Sequence, residues 1–181
     1  FQERSRRPFL PEQAEALGVP AGPERALLVR GQSVTLSDGR VITPDQVLGE
    51  PVAGVKLVYI GDVGRTDNIR AQGADADVLV IEATFLESER EIAAHFGHLT
   101  ARQAATLARE TGVRTLILTH VSRRYRESDI INEAQQVFPN THVARDLHHY
   151  VIRRDKPIER LTPEAIRVRF QETSDEPDAD A

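Results

Sequence analysis

Three apolar stretches that each run into a polar side chain constrain this chain more than any other feature. The stretches VKLVYIGD, DVLVIEAT and TLILTH lead to Asp62, Glu82 and His120, respectively. Aliphatic runs of this kind, alternating with helical segments, favour buried parallel strands and therefore an α/β fold. The carboxyl ends of such strands lie along one edge of the sheet, where α/β proteins place functional groups. The pattern predicts that these three side chains share one site.

A fourth polar group lies between the second and third of these strands. The tetrad GHLT, residues 97–100, places His98 just before an alanine-rich helix that Thr100 can cap. Taken singly, each polar residue has an ordinary interpretation as a helix cap, a strand end or a surface histidine. Glu82 is harder to dismiss, because a carboxylate inside an apolar strand costs desolvation unless a partner offsets it. The combination therefore favours an active site.

Composition narrows the kind of metal chemistry that the chain can support. The 181 residues are 40% hydrophobic and 28% charged, as expected for a globular domain. There is no cysteine, so any metal must be bound by His, Asp or Glu.

No apolar run approaches the roughly 20 residues that span a bilayer, and no signal peptide is visible. We therefore expect a cytoplasmic protein with no membrane segment.

The net charge of −5 is concentrated at the C-terminus. Residues 171–181 contain five acidic residues and no basic one, and without them the body is neutral. The first 50 residues contain six arginines and seven acidic residues. A neutral body neither favours nor excludes binding to a nucleic acid, because only a local basic patch would decide this.

The pattern of turns and periodic segments predicts three parts. Residues 1–50 combine two short helices around a Gly-Pro loop with a hairpin whose turn is Asp38-Gly39. We expect this part to be a mobile, protruding arm that buries little of itself. Residues 51–155 alternate strands and helices. Residues 156–181 form a C-terminal extension, in which we expect the acidic tail after Gln171 to be disordered.

The order and spacing of five motifs resemble a known family. The segments GDVGRTDN, VLVIEATF, FGHLTARQAA, LILTHVSRRY and VFPNTHVARD are similar to the C-terminal half of ribonuclease Z. That enzyme is a metallo-β-lactamase-fold endonuclease that matures the 3′ ends of tRNA. The similarity runs from about Pro8 to Arg153. It implies the C-terminal half of an αββα sandwich, with an arm and hairpin at its start.

The resemblance also implies roles for individual residues. Asp62 matches the aspartate that bridges two zinc ions, and His120 matches the last zinc-binding histidine. Glu82 and His98 match a hydrogen-bonded pair that protonates the leaving 3′ oxygen. Further residues match substrate-binding positions, three near the phosphate and two in an arm that grips the tRNA elbow: Ser122, Arg124, Tyr125, Gly22 and Pro23.

The principal metal motif of the family, His-x-His-x-Asp-His, does not occur in this sequence. Each zinc ion needs about four ligands, and this chain offers two clear ones. We expect the chain to be a fragment of a longer enzyme, or else a half that a separate polypeptide completes. The start at Phe1 and the lack of Met agree with a missing N-terminal half. In either case, this chain alone should bind zinc weakly and should not cleave RNA.

Three classes of function stay open. The leading hypothesis is a zinc-dependent endoribonuclease that removes the 3′ trailer from tRNA precursors, and its family implies a homodimer. A second hypothesis is another hydrolase of the same fold, such as a phosphodiesterase or an arylsulfatase. A third is a non-catalytic scaffold module. Retention of four polar residues in motif order argues against the third.

Overall fold

The computed structural model describes residues 1–154 and 156–174, with side chains as far as residue 169. Two compact units are present: one comprises residues 3–54, and the other comprises residues 1–2 together with the chain from residue 55 onward. We refer to them as the N-terminal unit and the sheet unit. The division into three parts expected from the sequence stays a prediction.

The N-terminal unit contains two short helices and one hairpin. Helix α1 (Pro11–Ala16) and helix α2 (Pro23–Val29) each have a proline in the first turn, which suits a position whose N–H would lack a partner. Strands β1 (Val34–Thr35) and β2 (Val41–Ile42) are antiparallel, as the Asp-Gly turn predicts. A 3-10 helix follows at Pro44–Gln46.

This unit buries more of itself than the sequence led us to expect. Its apolar side chains converge from both helices, the hairpin and the following segment, and form a core of their own: Ala14, Val19, Leu28, Val34, Ile42, Val47 and Leu48. The expectation of a segment with little buried surface was wrong. Each helix and strand of this unit buries only one apolar residue, so the core becomes visible only when the elements meet.

The sheet unit is built on four parallel strands, which confirms the α/β class. The strands are β3 (Leu57–Tyr59), β4 (Val78–Glu82), β5 (Thr115–Thr119) and β6 (Thr141–Val143). Their order in the sheet is the same as their order in the chain, and every neighbouring pair is parallel. All carboxyl ends of the strands therefore lie along one edge.

Four helices connect these strands. They are α3 (Arg70–Gly73), α4 (Arg90–Phe96), α5 (Ala101–Thr111) and α6 (Glu127–Gln135), and a 3-10 turn at Glu87–Glu89 precedes α4. Alanines and leucines of α5 pack with strand side chains into a core: Leu79, Ile81, Ala104, Ala105, Leu107, Ala108, Leu116 and Leu118. Among the described helices, none has the length and apolar character needed to cross a bilayer.

The chain beyond β6 forms a hairpin and a further helix. Strands β7 (His149–Val151) and β8 (Glu159–Leu161) form an antiparallel hairpin, and helix α7 (Pro163–Ser174) follows. Helix α7 extends three residues beyond Gln171, and the expected disorder of the acidic tail stays a prediction. The rest of the predicted acidic tail lies outside the described residues.

Candidate active site

The carboxyl ends of three neighbouring strands bring the predicted site residues together. Asp62 follows β3, Glu82 is the last residue of β4, and His120 directly follows β5. His120 has a φ angle of +52°, a left-handed conformation that is uncommon for residues other than glycine. Non-glycine residues in this conformation concentrate at functional sites, where the surrounding structure offsets their strain.

Asp62, His98 and His120 form a cluster that could bind a metal ion. One potential ligand atom from each residue lies within 4.8 Å of the other two. The Nδ1 atom of His120 is 3.2 Å from Oδ1 of Asp62, and the imidazole rings of His98 and His120 are 5.2 Å apart. One carboxylate with two imidazoles is a donor set that zinc accepts. The chemistry of these residues therefore fits a zinc site.

Glu82 is completely buried and its carboxylate is fully hydrogen-bonded. Its Oε1 atom accepts from the backbone N–H of Val63 at 2.7 Å and lies 2.9 Å from Nδ1 of His98. Its Oε2 atom accepts from the hydroxyl of Thr84 at 2.6 Å and from the backbone N–H of Leu99 at 3.3 Å. Four donors are what a buried carboxylate requires. This network explains how an apolar strand can end on Glu82.

The turn that carries His98 is held close to the loop that carries Asp62. Helix α4 ends at Gly97, which has a φ angle of +73°. A Cβ atom added to Gly64 would lie 2.9 Å from the Cα and carbonyl carbon of Gly97. Two backbone segments thus meet where only a glycine leaves room, and this contact brings the two loops of the site together.

Thr84 is a central residue of the site that the sequence prediction missed. Its hydroxyl oxygen lies 2.6 Å from Oε2 of Glu82, 3.0 Å from Nδ1 of His120 and 3.0 Å from the carbonyl oxygen of His120. The spacing to Glu82 was a usable signal, because side chains two residues apart on an extended chain share a face. Thr84 belongs to the EAT motif but was assigned no role.

A second missed group links helix α6 to the segments around the site. The carboxylate of Glu133 accepts from the backbone N–H of Glu87 at 3.0 Å and from that of Arg102 at 3.1 Å. Glu87 in turn accepts from the hydroxyl of Thr100 at 2.6 Å. These bonds tie both ends of the segment that contains His98 to α6. No local pattern predicts them, since the partners are far apart in sequence.

The three predicted phosphate-binding residues follow His120, but their surroundings differ. The backbone N–H of Ser122 donates to the carbonyl oxygen of Thr84 at 3.3 Å. The guanidinium of Arg124 donates to Glu89 at 3.1 Å, and the Arg124 side chain is 55% exposed. The hydroxyl of Tyr125 is buried and has no hydrogen-bond partner among the described residues. Contact with a phosphate stays a prediction for all three.

Gly22 and Pro23 are exposed residues of the N-terminal unit. Gly22 precedes α2 with a φ angle of +152°, and Pro23 is the first residue of that helix. The φ angle of Gly22 is one that other residues rarely adopt, which gives a structural reason for glycine here. Their proposed grip on tRNA stays a prediction.

Two titrating groups with shifted pKa values, His142 and Tyr150, lie in a different place in the sheet unit, a cleft of about 280 Å³ that Arg160 also lines. Burial lowers the pKa of His142, and the positive charge of Arg160 lowers it further. Burial raises the pKa of Tyr150. None of the four predicted site residues lines this cleft.

Comparison with known proteins identifies the family. Ribonuclease Z of Bradyrhizobium diazoefficiens is 47% identical over 152 residues, which cover 84% of this chain and 50% of that protein. Ribonuclease Z of Brevibacillus brevis is 42% identical over 155 residues, covering 82% and 49%. The protein of that name from Methanothermobacter thermautotrophicus is 45% identical over 148 residues, covering 81% and 48%. The similarity that the motifs predict is confirmed.

The extent of these matches defines what the chain shares with its relatives. The chain spans about half the length of the curated relatives that it matches. Residues 19–121, more than half of the chain, match the beta-lactamase superfamily domain. The chain therefore belongs to the beta-lactamase superfamily.

Proposed function

We propose that this chain is the C-terminal half of a zinc-dependent endoribonuclease that removes the 3′ trailer from tRNA precursors. The observation that carries the proposal is the cluster of Asp62, His98 and His120 beside the buried, hydrogen-bonded Glu82. The names and the 42–47% identity of the relatives add the substrate class. In this proposal the protein acts in the cytoplasm, as a homodimer.

Asp62 and His120 would contribute to a site for two zinc ions. A carboxylate can bridge two metals because it has two oxygens, and imidazole is a common terminal ligand. When bound, zinc would supply Lewis-acid chemistry: it would lower the pKa of a coordinated water and stabilise negative charge at the reacting phosphate. The other ligands would come from an N-terminal half that carries the His-x-His-x-Asp-His motif, either in the same polypeptide or in a separate one.

His98 would donate a proton to the leaving 3′ oxygen. Its Nδ1 lies 2.9 Å from a carboxylate oxygen of Glu82, which can only accept, so Nδ1 is the protonated nitrogen. Its other ring nitrogen, Nε2, is then available to the substrate, and 21% of the side chain is exposed. General acid catalysis of this kind contributes about 10²–10⁴-fold to a rate. Glu82 would orient the ring.

The distance-based cluster also allows a different role for His98, as a third ligand to the metal. Histidine ligands usually donate their second N–H to a carboxylate or carbonyl group, and Glu82 would serve that purpose equally well. We assign the acid role because Asp62 and His120 already match the ligand motif. Zinc retention by a His98 variant separates the two roles.

Binding of the substrate would use both units. Near the reacting phosphate, the partly exposed guanidinium of Arg124 is the strongest candidate, since Tyr125 has a buried hydroxyl. In the N-terminal unit, Gly22 and Pro23 would contact the tRNA elbow. With six arginines against seven acidic residues among residues 1–50, such a grip would rest on few charges and on backbone amides.

Reconstitution with the N-terminal half is the decisive experiment. Mixing this chain with a polypeptide that carries the missing motif should restore cleavage of a 3′-extended tRNA precursor, with about two zinc ions per site. Cleavage by this chain alone would overturn the half-site proposal.

Preference of the reconstituted complex for bis-p-nitrophenyl phosphate or an aryl sulfate would indicate another hydrolase of this fold. A complex without zinc would indicate a scaffold module, and sedimentation of the complex tests the homodimer.

A further inference from the structure

We propose that Thr84 is a positioning residue that fixes the tautomer of His120. Its hydroxyl accepts a hydrogen bond from Nδ1–H of His120, which leaves the lone pair of Nε2 available to a metal ion. This inference deepens the proposed function and rests on the metal-binding role given there to His120. Thr84 touches neither substrate nor metal in this proposal, and it acts through the histidine.

The argument begins with the donors and acceptors around one hydroxyl group. A threonine hydroxyl has a single hydrogen to donate and two lone pairs that can accept. The shortest contact of the Thr84 hydroxyl is 2.6 Å to Oε2 of Glu82. This distance is typical of an O–H group that donates to a carboxylate. The hydrogen of Thr84 is therefore committed to Glu82.

With that hydrogen committed, the hydroxyl can only accept from its other neighbours. The carbonyl oxygen of His120, at 3.0 Å, has no hydrogen to give. Nδ1 of His98, at 3.5 Å, is closer to Glu82 and donates there. Nδ1 of His120, at 3.0 Å, is the remaining group that can donate. This assignment of donors and acceptors places the proton of the neutral His120 ring on Nδ1.

The carboxylate of Asp62 favours the same assignment through a longer contact. Its Oδ1 atom lies 3.2 Å from Nδ1 of His120, and an ionised carboxylate can only accept. An unprotonated Nδ1 would place a lone pair against both oxygens. Two acceptors on one side of the ring thus favour Nδ1–H and free Nε2.

Thr84 is also placed to keep the His120 backbone in its left-handed conformation. The carbonyl oxygen of Thr84 accepts from the N–H of Ser122 at 3.3 Å, and the neighbouring N–H of Ala83 donates to Thr119 at 2.9 Å. These bonds flank His120 on both sides. Only 9% of Thr84 is exposed, so water has little access to replace its hydroxyl.

The test compares three variants of this 181-residue chain. Thr84→Val keeps the side-chain shape but removes the hydroxyl, whereas Thr84→Ser keeps the hydroxyl. Thr119→Val is the matched control, because the Thr119 hydroxyl makes no hydrogen bond within the described part of the chain. The His120 tautomer is measured from the ¹⁵N shifts of its ring nitrogens above pH 7.5, and zinc affinity is measured by competition with a chromophoric chelator.

We expect wild type, Thr84→Ser and Thr119→Val to show His120 with Nδ1 protonated. Thr84→Val should move part of the ring population toward the Nε2–H form, because the longer contact with Asp62 is then the acceptor left beside Nδ1. It should also weaken zinc binding about 10–100-fold, the usual effect of losing an outer-shell partner of a metal ligand. An unchanged tautomer in Thr84→Val would overturn the proposal, even if stability or affinity fell. If wild type shows the expected tautomer and the reconstituted complex binds no zinc, the proposed function fails while the role of Thr84 in the tautomer stands.

Discussion

The two compact units present their candidate functional residues in opposite ways. In the sheet unit, Glu82 is fully buried and makes four hydrogen bonds. In the N-terminal unit, Gly22 and Pro23 are exposed at the start of a seven-residue helix, and no side-chain hydrogen bond caps that helix. The first arrangement is suited to chemistry, because buried polar networks fix atoms accurately. The second is suited to contact with a partner surface.

The difference follows from the secondary structure that each unit uses. Parallel strands bring residues far apart in sequence to one edge, and the burial of that edge strengthens every hydrogen bond made there. The N-terminal unit has only two-residue strands and short helices, so its turns reach the surface. If the comparison is correct, substitutions in the two units should change different measurable quantities.

The largest effect should come from His98→Asn. Its expected result in the reconstituted complex is a loss of about 10²–10⁴-fold in kcat, because general acid catalysis is removed, with zinc content unchanged. The comparison variant is Pro23→Ala, which should raise KM for the tRNA precursor and leave kcat near the wild-type value. Loss of zinc in His98→Asn would instead make His98 a ligand, and a fall in kcat for Pro23→Ala would break the comparison.

Core truncations should show whether the units are energetically distinct. Leu116→Ala in β5 and Leu28→Ala in α2 each remove a fully buried leucine and should each cost about 2–5 kcal/mol. Hydrogen exchange should report the loss of protection in the sheet unit for Leu116→Ala and in residues 3–54 for Leu28→Ala. Loss of protection across both units from either variant would show that they unfold as one.

A smaller effect is expected where the two loops of the site meet. Gly64→Ala would place a Cβ atom 2.9 Å from the backbone of Gly97, and overpacking of this kind costs about 1–3 kcal/mol. The matched control is Gly61→Ala, because nothing lies within 4 Å of a Cβ atom there. Chemical denaturation measures both. Equal stability of the two variants would show that the close contact between the loops is not required.

The smallest effect should be a change in the pH dependence of stability. Burial lowers the pKa of His142 below its ordinary value of 6.5, so the unfolded chain binds a proton more readily than the folded chain. Stability should therefore fall as the pH decreases below 6.5 and should be insensitive to this residue above that pH. His142→Asn should flatten this slope in thermal melts from pH 5.5 to 7.5. The comparison variant is His149→Asn, because the exposed His149 does not line the cleft. An equal change of slope in both variants would contradict the prediction.

Several residues of the candidate site could be predicted because they lie in short sequence motifs. Apolar strands that end in a polar residue made three positions recognisable: Asp62, Glu82 and His120. Parallel strands place their carboxyl ends along one edge of the sheet, so these residues were expected to lie close together. His98 was recognisable from its place before a capped helix. Thr84 was missed because a threonine at a strand end is an ordinary residue. Its importance depends on His120, which is 36 residues away along the chain.

The core of the N-terminal unit illustrates the opposite limit. Its elements were predicted correctly, but its buried residues are spread from Ala14 to Leu48. A periodic pattern needs several buried apolar positions on one element, and each of these helices and strands buries only one. For this unit, the sequence could indicate turns and helix starts but not what they bury.

The sequence by itself determined the α/β class, the alternation of strands and helices along the chain, and the identity of the polar groups at the strand ends. Those properties depend on residue type and local periodicity, which are explicit in a linear chain. Only the tertiary structure decided which atoms meet: the four donors on Glu82, the hydroxyl of Thr84 between Glu82 and His120, and the contact of Gly64 with Gly97. Those contacts depend on distances of about 3 Å between residues far apart in the chain, and hydrogen bonds and packing are decided at that scale.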